Sequence, residues 1–268
     1  MPELPEVEVI VRGLRRCAVG RRISRAEFLW SGLVIGDAQR TANLLQGLTI
    51  CQVRRYGKYI LIDVEERRQR YYLTIHLRMT GNFIVNGKPG PYTRAILDLE
   101  DGSTLVYHDI RKFGRWQLSD KLPARLSELG PEPLEISEDE FFNLLSVRRG
   151  MIKALLLNQE FVRGLGNIYA DEALFRARVH PRTDSSRIGP KRARRLHRSI
   201  NEVLLDAIEA GGSTVNNYVS SDGMQGYFQL QVLVYGKTGK PCQVCGTSIR
   251  RIIISSRSTH FCSKCQRK

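Results

Sequence analysis

The first six residues of the chain combine a potential nucleophile with two potential proton-transfer groups. Pro2 follows Met1, and removal of that methionine would leave proline with a free secondary amine. An α-amine has a pKa of about 8, so an unprotonated fraction exists near neutral pH. Attack by such an amine on a sugar C1′ would displace a base and leave an iminium ion, which permits strand cleavage by elimination. Glu3 and Glu6 lie beside this amine, where one carboxyl could transfer a proton and the other could hold the site or cap a helix.

The same residues are also typical of an ordinary helix entry. Proline is favoured in the first helical turn, and acidic side chains there interact well with the helix dipole. Taken alone, the segment favours this structural interpretation over a catalytic one.

Four of the six cysteines have the spacing of a zinc site. They form two Cys-x2-Cys pairs, Cys242 with Cys245 and Cys262 with Cys265, separated by 16 residues. Each pair can present two thiolates, and a hairpin between the pairs would close a tetrahedron around one Zn²⁺. A disulfide framework or four unconnected thiols are the alternatives. No His or carboxylate completes an open coordination position, so the sequence predicts a structural metal.

The charge of the chain points to a polyanionic partner. Its formal net charge is +15 and its pI about 9.9. Nucleic acid is the first partner to consider, because basic side chains release the counterions of phosphates. An anionic membrane surface is the rival, but it would require a basic amphipathic helix with bulky apolar residues or a lipidation signal, and we find neither. The composition is that of a globular protein, and the acidic, proline-rich start does not resemble a secretory signal, so we expect a cytoplasmic protein.

Strand-like segments occupy the first half of the chain and predict an antiparallel sandwich. They are short, rich in Val, Ile, Leu and Tyr, and separated by Gly, Asp or Asn turns. The segments are Arg22–Trp30, Thr49–Tyr56, Tyr59–Val64, Tyr71–Leu77, Asn82–Val85, Ala95–Leu99, Thr104–His108 and Trp116–Ser119. Val7–Cys17 carries apolar residues at helical spacing and is expected to pack on the sheet.

The second half favours helices after a proline-rich linker at Lys121–Ser137. A capping box at Ser137 to Glu140 should start a helix through Phe141 to Ser146. Further helices are expected at Ile152–Asn158, Ile168–Arg176 and Pro190–Ala210. Gly164 and Gly166 with Asn167 precede one of them, as in a turn that grips a phosphate, although an ordinary connection between helices gives the same pattern.

Six separated motifs, in the same order along the whole chain, resemble the formamidopyrimidine-DNA glycosylase family. They are Met1–Glu8, His76–Gly81, Asp109–Gly114, Gly164–Tyr169, Ser221–Gly223 and the four cysteines. The resemblance implies an α+β protein: an N-terminal antiparallel β-sandwich with flanking helices, a helix–two-turns–helix domain and a C-terminal zinc-finger β-hairpin. We expect residues 1–125 to be catalytic, 126–230 to bind DNA and carry a lesion-capping loop, and 231–268 to form the zinc finger.

The resemblance also implies a function and roles for individual residues. The function is that of a bifunctional glycosylase/AP lyase that removes oxidised purines from double-stranded DNA, also acts at abasic sites, cleaves by β,δ-elimination, holds one structural Zn²⁺ and works as a monomer. Catalytic roles fall to Pro2 as Schiff-base nucleophile, Glu3 as acid, Glu6 as supporting carboxylate, Lys58 for β-elimination and Arg257 for δ-elimination. The DNA-contacting set is Met79, Arg111 and Phe113, which fill the void left by the flipped nucleotide, with Arg148, Arg149, Asn167 and Tyr92. The loop expected to close over the lesion contains Ser220, Ser221, Asp222, Gly223 and Tyr227.

Two departures and two rival functions accompany this interpretation. Tyr92 occupies a position where many relatives carry a DNA-contacting His, and Thr80 occupies a variable position near the lesion. An endonuclease VIII-like enzyme for oxidised pyrimidines is disfavoured by the void-filling set and by the Ser220–Tyr227 loop. A catalytically silent zinc protein that binds DNA is disfavoured by Pro2, Glu3 and Lys58.

Overall fold

The computed structural model describes residues 1–67, 69–213, 228 and 231–268. Within them the chain forms two compact units. One comprises Met1–Ser127 together with the segment that starts at Ala210, and the other comprises Glu128–Glu209 and Phe228–Lys268.

The first unit contains two antiparallel four-stranded sheets, which confirms the expected sandwich. One sheet has the order β1-β6-β7-β5 and the other β2-β3-β4-β8. The strands are β1 Ile23–Phe28, β2 Thr49–Tyr56, β3 Tyr59–Glu66, β4 Gln69–His76, β5 Asn82–Val85, β6 Thr93–Leu99, β7 Thr104–His108 and β8 Arg115–Ser119. Each begins and ends within two residues of its predicted bounds, because alternating burial and turn residues mark strand ends clearly.

A long helix anchors the beginning of the chain to this sandwich. Helix α1, Leu4–Ala18, buries Val7, Ile10, Val11 and Leu14 in the same apolar cluster as residues of both sheets. These positions recur every three or four residues, so they form one face of the helix. The helix starts only two residues after Pro2, and the core therefore fixes the first residues of the chain.

Aromatic rings fill the centre of the same core. The ring of the fully buried Trp116 lies 5.6 Å from that of Phe28, 5.5 Å from that of Phe83 and 5.2 Å from that of Tyr107. Edge and tilted contacts of this kind add to the free energy gained from burial.

One helix of the first unit was not predicted. Helix α2, Ala38–Leu45, is capped by Asp37, whose Oδ1 accepts a hydrogen bond of 2.7 Å from the amide of Arg40. The chain leaves it through Gly47, which has a left-handed φ of +89°. The Asp cap and the later glycine are the signals that indicate such a helix, but the apolar face is too short to be conspicuous.

The second unit contains four helices and a hairpin among the residues that the structure describes. The helices are α3 Glu138–Ser146, α4 Ile152–Leu157, α5 Asn167–Arg176 and α6 Pro190–Glu209, and the hairpin strands are β9 Arg250–Ile254 and β10 Arg257–Phe261. The predicted capping box is present, since Ser137 Oγ accepts from the amide of Glu140 and the Glu140 carboxylate accepts from that of Ser137. None of the described helices combines the length and apolar character needed to cross a membrane.

Replacement of Trp116 by alanine tests the aromatic core. Trp116→Ala should lower the free energy of unfolding of the first unit by about 3–5 kcal/mol, because it removes a fully buried ring and leaves a cavity. Urea denaturation followed by far-UV circular dichroism measures the change. The half-exposed Leu29 supplies the control, since Leu29→Ala should change this free energy by less than about 0.5 kcal/mol. Equal losses in the two variants would contradict a central position of Trp116 in the core.

Candidate functional site

The N-terminal turn is held by the carboxylate of Glu6. Its Oε2 accepts a hydrogen bond of 2.8 Å from the amide of Glu3, and its Oε1 accepts from the amide and the hydroxyl of Ser213 at 2.8 and 3.0 Å. The side chains of Glu3 and Glu6 are each only 3% exposed, and Pro2 is also buried. With both oxygens of Glu6 engaged by the chain, this carboxylate positions the first residues, and Glu3 is the acid adjacent to Pro2.

A close backbone approach allows this contact. Gly212 has a φ of +84°, and a Cβ at this position would lie 3.3 Å from both Cγ and Oε1 of Glu6. Glycine removes the conformational strain and the steric conflict together. The chain after α6 can therefore reach the N-terminal turn.

Lys58 lies in the two-residue turn between β2 and β3. Gly57, at a φ of +57°, gives the turn its left-handed step, and Tyr56 and Tyr59 pair across it. The side chain of Lys58 is 7% exposed, whereas the sequence alone would suggest an exposed strand residue. Burial leaves the side chain of Lys58 less freedom than an exposed lysine has.

His76 lies beside this turn, and sequence reasoning gave it no role. Burial, followed by the positive charges of Arg78, Lys58 and Arg125, lowers the pKa of His76 to about 3. The amide of Arg78 donates to Nδ1 at 3.0 Å, so Nε2 carries the proton of the neutral ring. The edge of the ring also contacts Tyr59, with 4.6 Å between centroids. The only sequence signal for His76 is its place at the start of a motif.

A second buried carboxylate organises the loops that precede β5 and β8. Asp109 is fully buried and accepts from the amides of Arg111 at 3.2 Å and Gly114 at 2.7 Å, and from the hydroxyl of Thr80. Thr80 Oγ1 in turn accepts from the Arg111 amide at 3.0 Å. Thr80 and Asp109 therefore tie the two loops together, although sequence reasoning treated Thr80 only as a departure from the family.

These loops present the expected void-filling side chains to solvent. Met79 and Phe113 are large apolar residues that remain 39% and 45% exposed. The guanidinium of Arg111 lies 4.6 Å from the centroid of the Phe113 ring, a cation–π contact. Tyr92 is also exposed, and its carbonyl accepts from the amide of Asp109 at 2.9 Å. The structure thus brings Met79, Arg111 and Phe113 to two loops held by the Asp109 carboxylate, and a backbone hydrogen bond joins Tyr92 to the same residue.

In the second unit, Asn167 lies beside the hairpin that carries Arg257. Asn167 is the first residue of α5, and its Nδ2 donates a hydrogen bond of 2.9 Å to the carbonyl of Ser258. Arg257 is exposed at the start of β10, after a turn in which Ser255 and Ser256 both have positive φ. Arg148 and Arg149 are exposed in the loop between α3 and α4. The residues expected to cap the lesion, Ser220, Ser221, Asp222, Gly223 and Tyr227, lie outside the described residues.

The four cysteines form a cluster that fits one zinc ion. Their sulfurs lie within 4.8 Å of one another, with Cys242 and Cys265 at 3.9 Å and Cys245 and Cys262 at 3.4 Å. Tetrahedral zinc with thiolate bonds of about 2.3 Å needs sulfurs about 3.8 Å apart. Burial, together with the neighbouring thiols, raises the pKa of Cys265 to about 12, whereas hydrogen bonds with Thr247 lower the pKa of Cys245 to about 6. Metal binding therefore has to release thiol protons and weakens as pH falls.

Comparisons with known proteins match the whole chain. The formamidopyrimidine-DNA glycosylase N-terminal domain matches residues 1–116, the formamidopyrimidine-DNA glycosylase H2TH domain residues 129–219, and the zinc finger found in FPG and IleRS residues 239–267. A formamidopyrimidine-DNA glycosylase of Solibacter usitatus is 48% identical over the full length of both chains.

Two solved structures of the Lactococcus lactis Fpg protein are similar in fold. A variant bound to Fapy-dG containing DNA is 36% identical, with a TM-score of 0.90 over 100% of both chains. A complex with abasic site containing DNA is 35% identical, with a TM-score of 0.89 over 99% of this chain and 100% of that one.

Asp109→Asn tests the carboxylate that joins the two loops. The three partners of the Asp109 carboxylate are all donors, so an amide NH₂ in its place must face at least one of them and lose that hydrogen bond. We expect amide hydrogen exchange at Arg111 and Gly114 to accelerate by about tenfold or more, while amides in the sheets keep their protection. The exposed Asp101, which accepts from Ser103, provides the control Asp101→Asn. Unchanged exchange at Arg111 and Gly114 would contradict the clamp.

Replacement of single cysteines tests the metal site. We expect about one zinc ion per chain in the wild type. Cys262→Ser should lose the ion and the cooperative folding of residues 239–267, whereas Cys51→Ser should keep both. Inductively coupled plasma mass spectrometry measures the metal, and two-dimensional NMR of the hairpin amides reports its fold. Full zinc retention in Cys262→Ser would contradict the assignment.

Proposed function

The chain belongs to the formamidopyrimidine-DNA glycosylase family, and on that basis we propose that Pro2 is the nucleophile with which it releases the damaged base. The protein is a DNA glycosylase of base excision repair that acts on oxidised purines and has AP lyase activity. The Glu6 contact carries the proposal, because a carboxylate engaged through both oxygens fixes the chain end at which Pro2 lies.

The proposed reaction begins after loss of Met1. The neutral amine of Pro2 forms a bond to C1′ of the extruded nucleotide, the bond from C1′ to the base breaks, and the departing base takes up the proton that the amine releases. Glu3 protonates the ring oxygen of the sugar, the bond from C1′ to that oxygen breaks, and the opened sugar carries an iminium ion on Pro2. The iminium acidifies the C2′ proton, and loss of that proton expels the 3′ phosphate; a second elimination then expels the 5′ phosphate. We assign Lys58 to the first elimination and Arg257 to the second.

Extrusion of the nucleotide requires compensation for lost stacking, which costs a few kcal/mol. We propose that Met79 and Phe113 fill the gap and that Arg111 pairs with the orphaned base. The exposure of the two apolar side chains supports this role, since a core function would bury them. We further propose that Tyr92, Asn167 and the Arg148–Arg149 pair contact the DNA backbone, and that the segment from Ser220 to Tyr227 covers the flipped purine.

We propose a different role for each of three segments of the chain. Residues 1–125 carry the chemistry, residues 126–230 bind the duplex and cap the lesion, and residues 231–268 form a hairpin stabilised by one structural zinc ion. We propose that the protein acts as a monomer in the cytoplasm, where a reducing environment keeps the four thiols available for metal. Zinc has no role in the chemical steps, because four cysteines leave no open position.

Borohydride trapping tests the nucleophile. On a duplex with 8-oxoguanine opposite cytosine, the wild type should form a covalent adduct and cleave the strand, and mass spectrometry of the adduct should locate it on residue 2. Pro2→Gly should lose at least about 90% of trapping, because it replaces the secondary amine that forms the iminium. Glu3→Gln should retain binding but slow base release by about a hundredfold or more, since it removes the proton donor.

Pro5→Ala is the matched control, because Pro5 is a second buried proline in the same turn. It should leave trapping unchanged. Equal trapping by the wild type and Pro2→Gly, or a mature chain that retains Met1, would refute the assignment of Pro2.

A further inference from the structure

A fully buried ion pair joins α4 to α5 in the second unit. Lys153 and Asp171 each have 0% side-chain exposure, and Nζ of Lys153 lies 2.6 Å from Oδ1 of Asp171. The same ammonium donates a hydrogen bond of 3.0 Å to the carbonyl of Asn167. A buried ion pair is a poor source of stability, because desolvation offsets its attraction.

The second oxygen of Asp171 reaches the zinc hairpin. Its Oδ2 accepts a hydrogen bond of 2.8 Å from the amide of His260, and Nδ1 of the same histidine lies 3.1 Å away. One helical turn earlier, Nδ2 of Asn167 donates to the carbonyl of Ser258. Helix α5 is thus attached to strand β10 at two points.

The spacing of the two attachments sets a register. Residues 167 and 171 are separated by about 6 Å along a helix, and residues 258 and 260 by about 6.6 Å along a strand. Because these rises match, both pairs can be satisfied only when β10 runs along α5 in one alignment. A shift of β10 by one residue would turn the backbone groups that face α5 to the other side of the strand.

Arg257 lies in the chain directly before the first of these two attachments. It precedes Ser258, and it follows the turn at Ser255 and Ser256. The four zinc-ligand candidates all lie between residues 242 and 265, so a metal can fix the hairpin itself but does not align it on α5. The hydrogen bonds of Asn167 and Asp171 align β10 itself on α5, directly after Arg257. Gln266, whose Nε2 donates to the carbonyl of Val179, holds the end of the C-terminal segment farther along the chain.

We propose that Lys153 and Asp171 are positioning residues that hold Arg257 and Asn167 in one register, and that the second elimination depends on them. This inference rests on the proposed function. Lys153 compensates the charge of Asp171 and holds the first turn of α5, and Asp171 holds β10. Neither residue touches the DNA in this scheme.

Asp171→Asn tests the proposal with little change in shape. The oxygens of Asp171 accept from the Lys153 ammonium and the His260 amide, whereas an asparagine presents one acceptor and one donor group, so one of these links must be lost. On a duplex with an abasic site, we expect the first elimination to stay within about twofold of the wild type and the second to slow by about tenfold, a change in barrier of about 1.4 kcal/mol. Quenched-flow separation of the two products measures the ratio, and the zinc content should not change.

Two further variants separate positioning from folding. Lys153→Met with Asp171→Leu replaces the buried pair by apolar side chains, so it should fold and hold zinc but still lose the second elimination. Arg176→Gln is the control, because it removes an ion pair of 2.6 Å to Asp206 at the opposite end of the same helix. It should leave the product ratio unchanged.

The results expected if the inference fails differ from those expected if the proposed function fails. A wild-type product ratio in Asp171→Asn and in the double variant overturns the inference, as does an equal slowing of base release and both eliminations. A wild type that produces no second elimination refutes that part of the proposed function instead. In that case the affinity of each variant for a duplex with an uncleavable abasic-site analogue decides the inference: an affinity lowered by about tenfold supports positioning of Asn167, and an unchanged affinity overturns it.

Discussion

The hydrogen bonds that Glu6 accepts from Glu3 and Ser213 fix the beginning of the chain, and the proposed chemistry depends on them. A nucleophile at a chain end has a covalent neighbour on one side only, so non-covalent bonds must supply the second constraint. Helix α1 supplies part of it by burying one face in the sandwich core. The carboxylate of Glu6 supplies the rest by engaging both oxygens. A displacement of about 1 Å at a reacting centre can cost about a hundredfold in rate, so the proposed nucleophile requires this local order.

Buried carboxylates hold backbone amides in the same way at three other places. Asp109 accepts from two loop amides and a hydroxyl, Asp171 from an amide of β10, and Glu172 from the amides of Leu233, Val234 and Tyr235 at 2.7 to 2.9 Å. A carboxylate suits this task because it only accepts and offers two oxygens to several donors. Burial raises the pKa of Glu172, and its three amide partners act in the opposite direction. The chain has 27 acidic residues and 42 Lys and Arg residues. Acidic residues that are buried as hydrogen-bond acceptors do not reduce the positive charge of the surface that contacts phosphates.

The sequence predicted the elements well, but the connections between them poorly. All eight strands of the sandwich and the cysteine cluster follow from local patterns, since alternation, turn residues and ligand spacing act over a few residues. Helix α2 was not predicted, because its clearest sequence signals are only Asp37 and Gly47. The roles of Thr80 and Asp171 could not be predicted, because each depends on partners 29 and 89 residues away in the chain. Assignments such as Lys58 and Arg257 came from resemblance to a family, and no local pattern distinguishes them from other basic residues.

The zinc site and the carboxylate of Asp171 constrain the hairpin in different ways. The cysteine cluster ties together residues that all belong to the C-terminal segment, so a zinc ion there specifies the fold of the hairpin. Phe175 of α5 packs against Cys242 and Cys262, but an apolar contact of this kind tolerates sliding. The hydrogen bonds between α5 and the backbone of Ser258 and His260 would break if the hairpin slid, because each requires one backbone group at one position. A hairpin that carries the arginine proposed for the second elimination therefore needs both constraints, one that makes the hairpin rigid and one that aligns it.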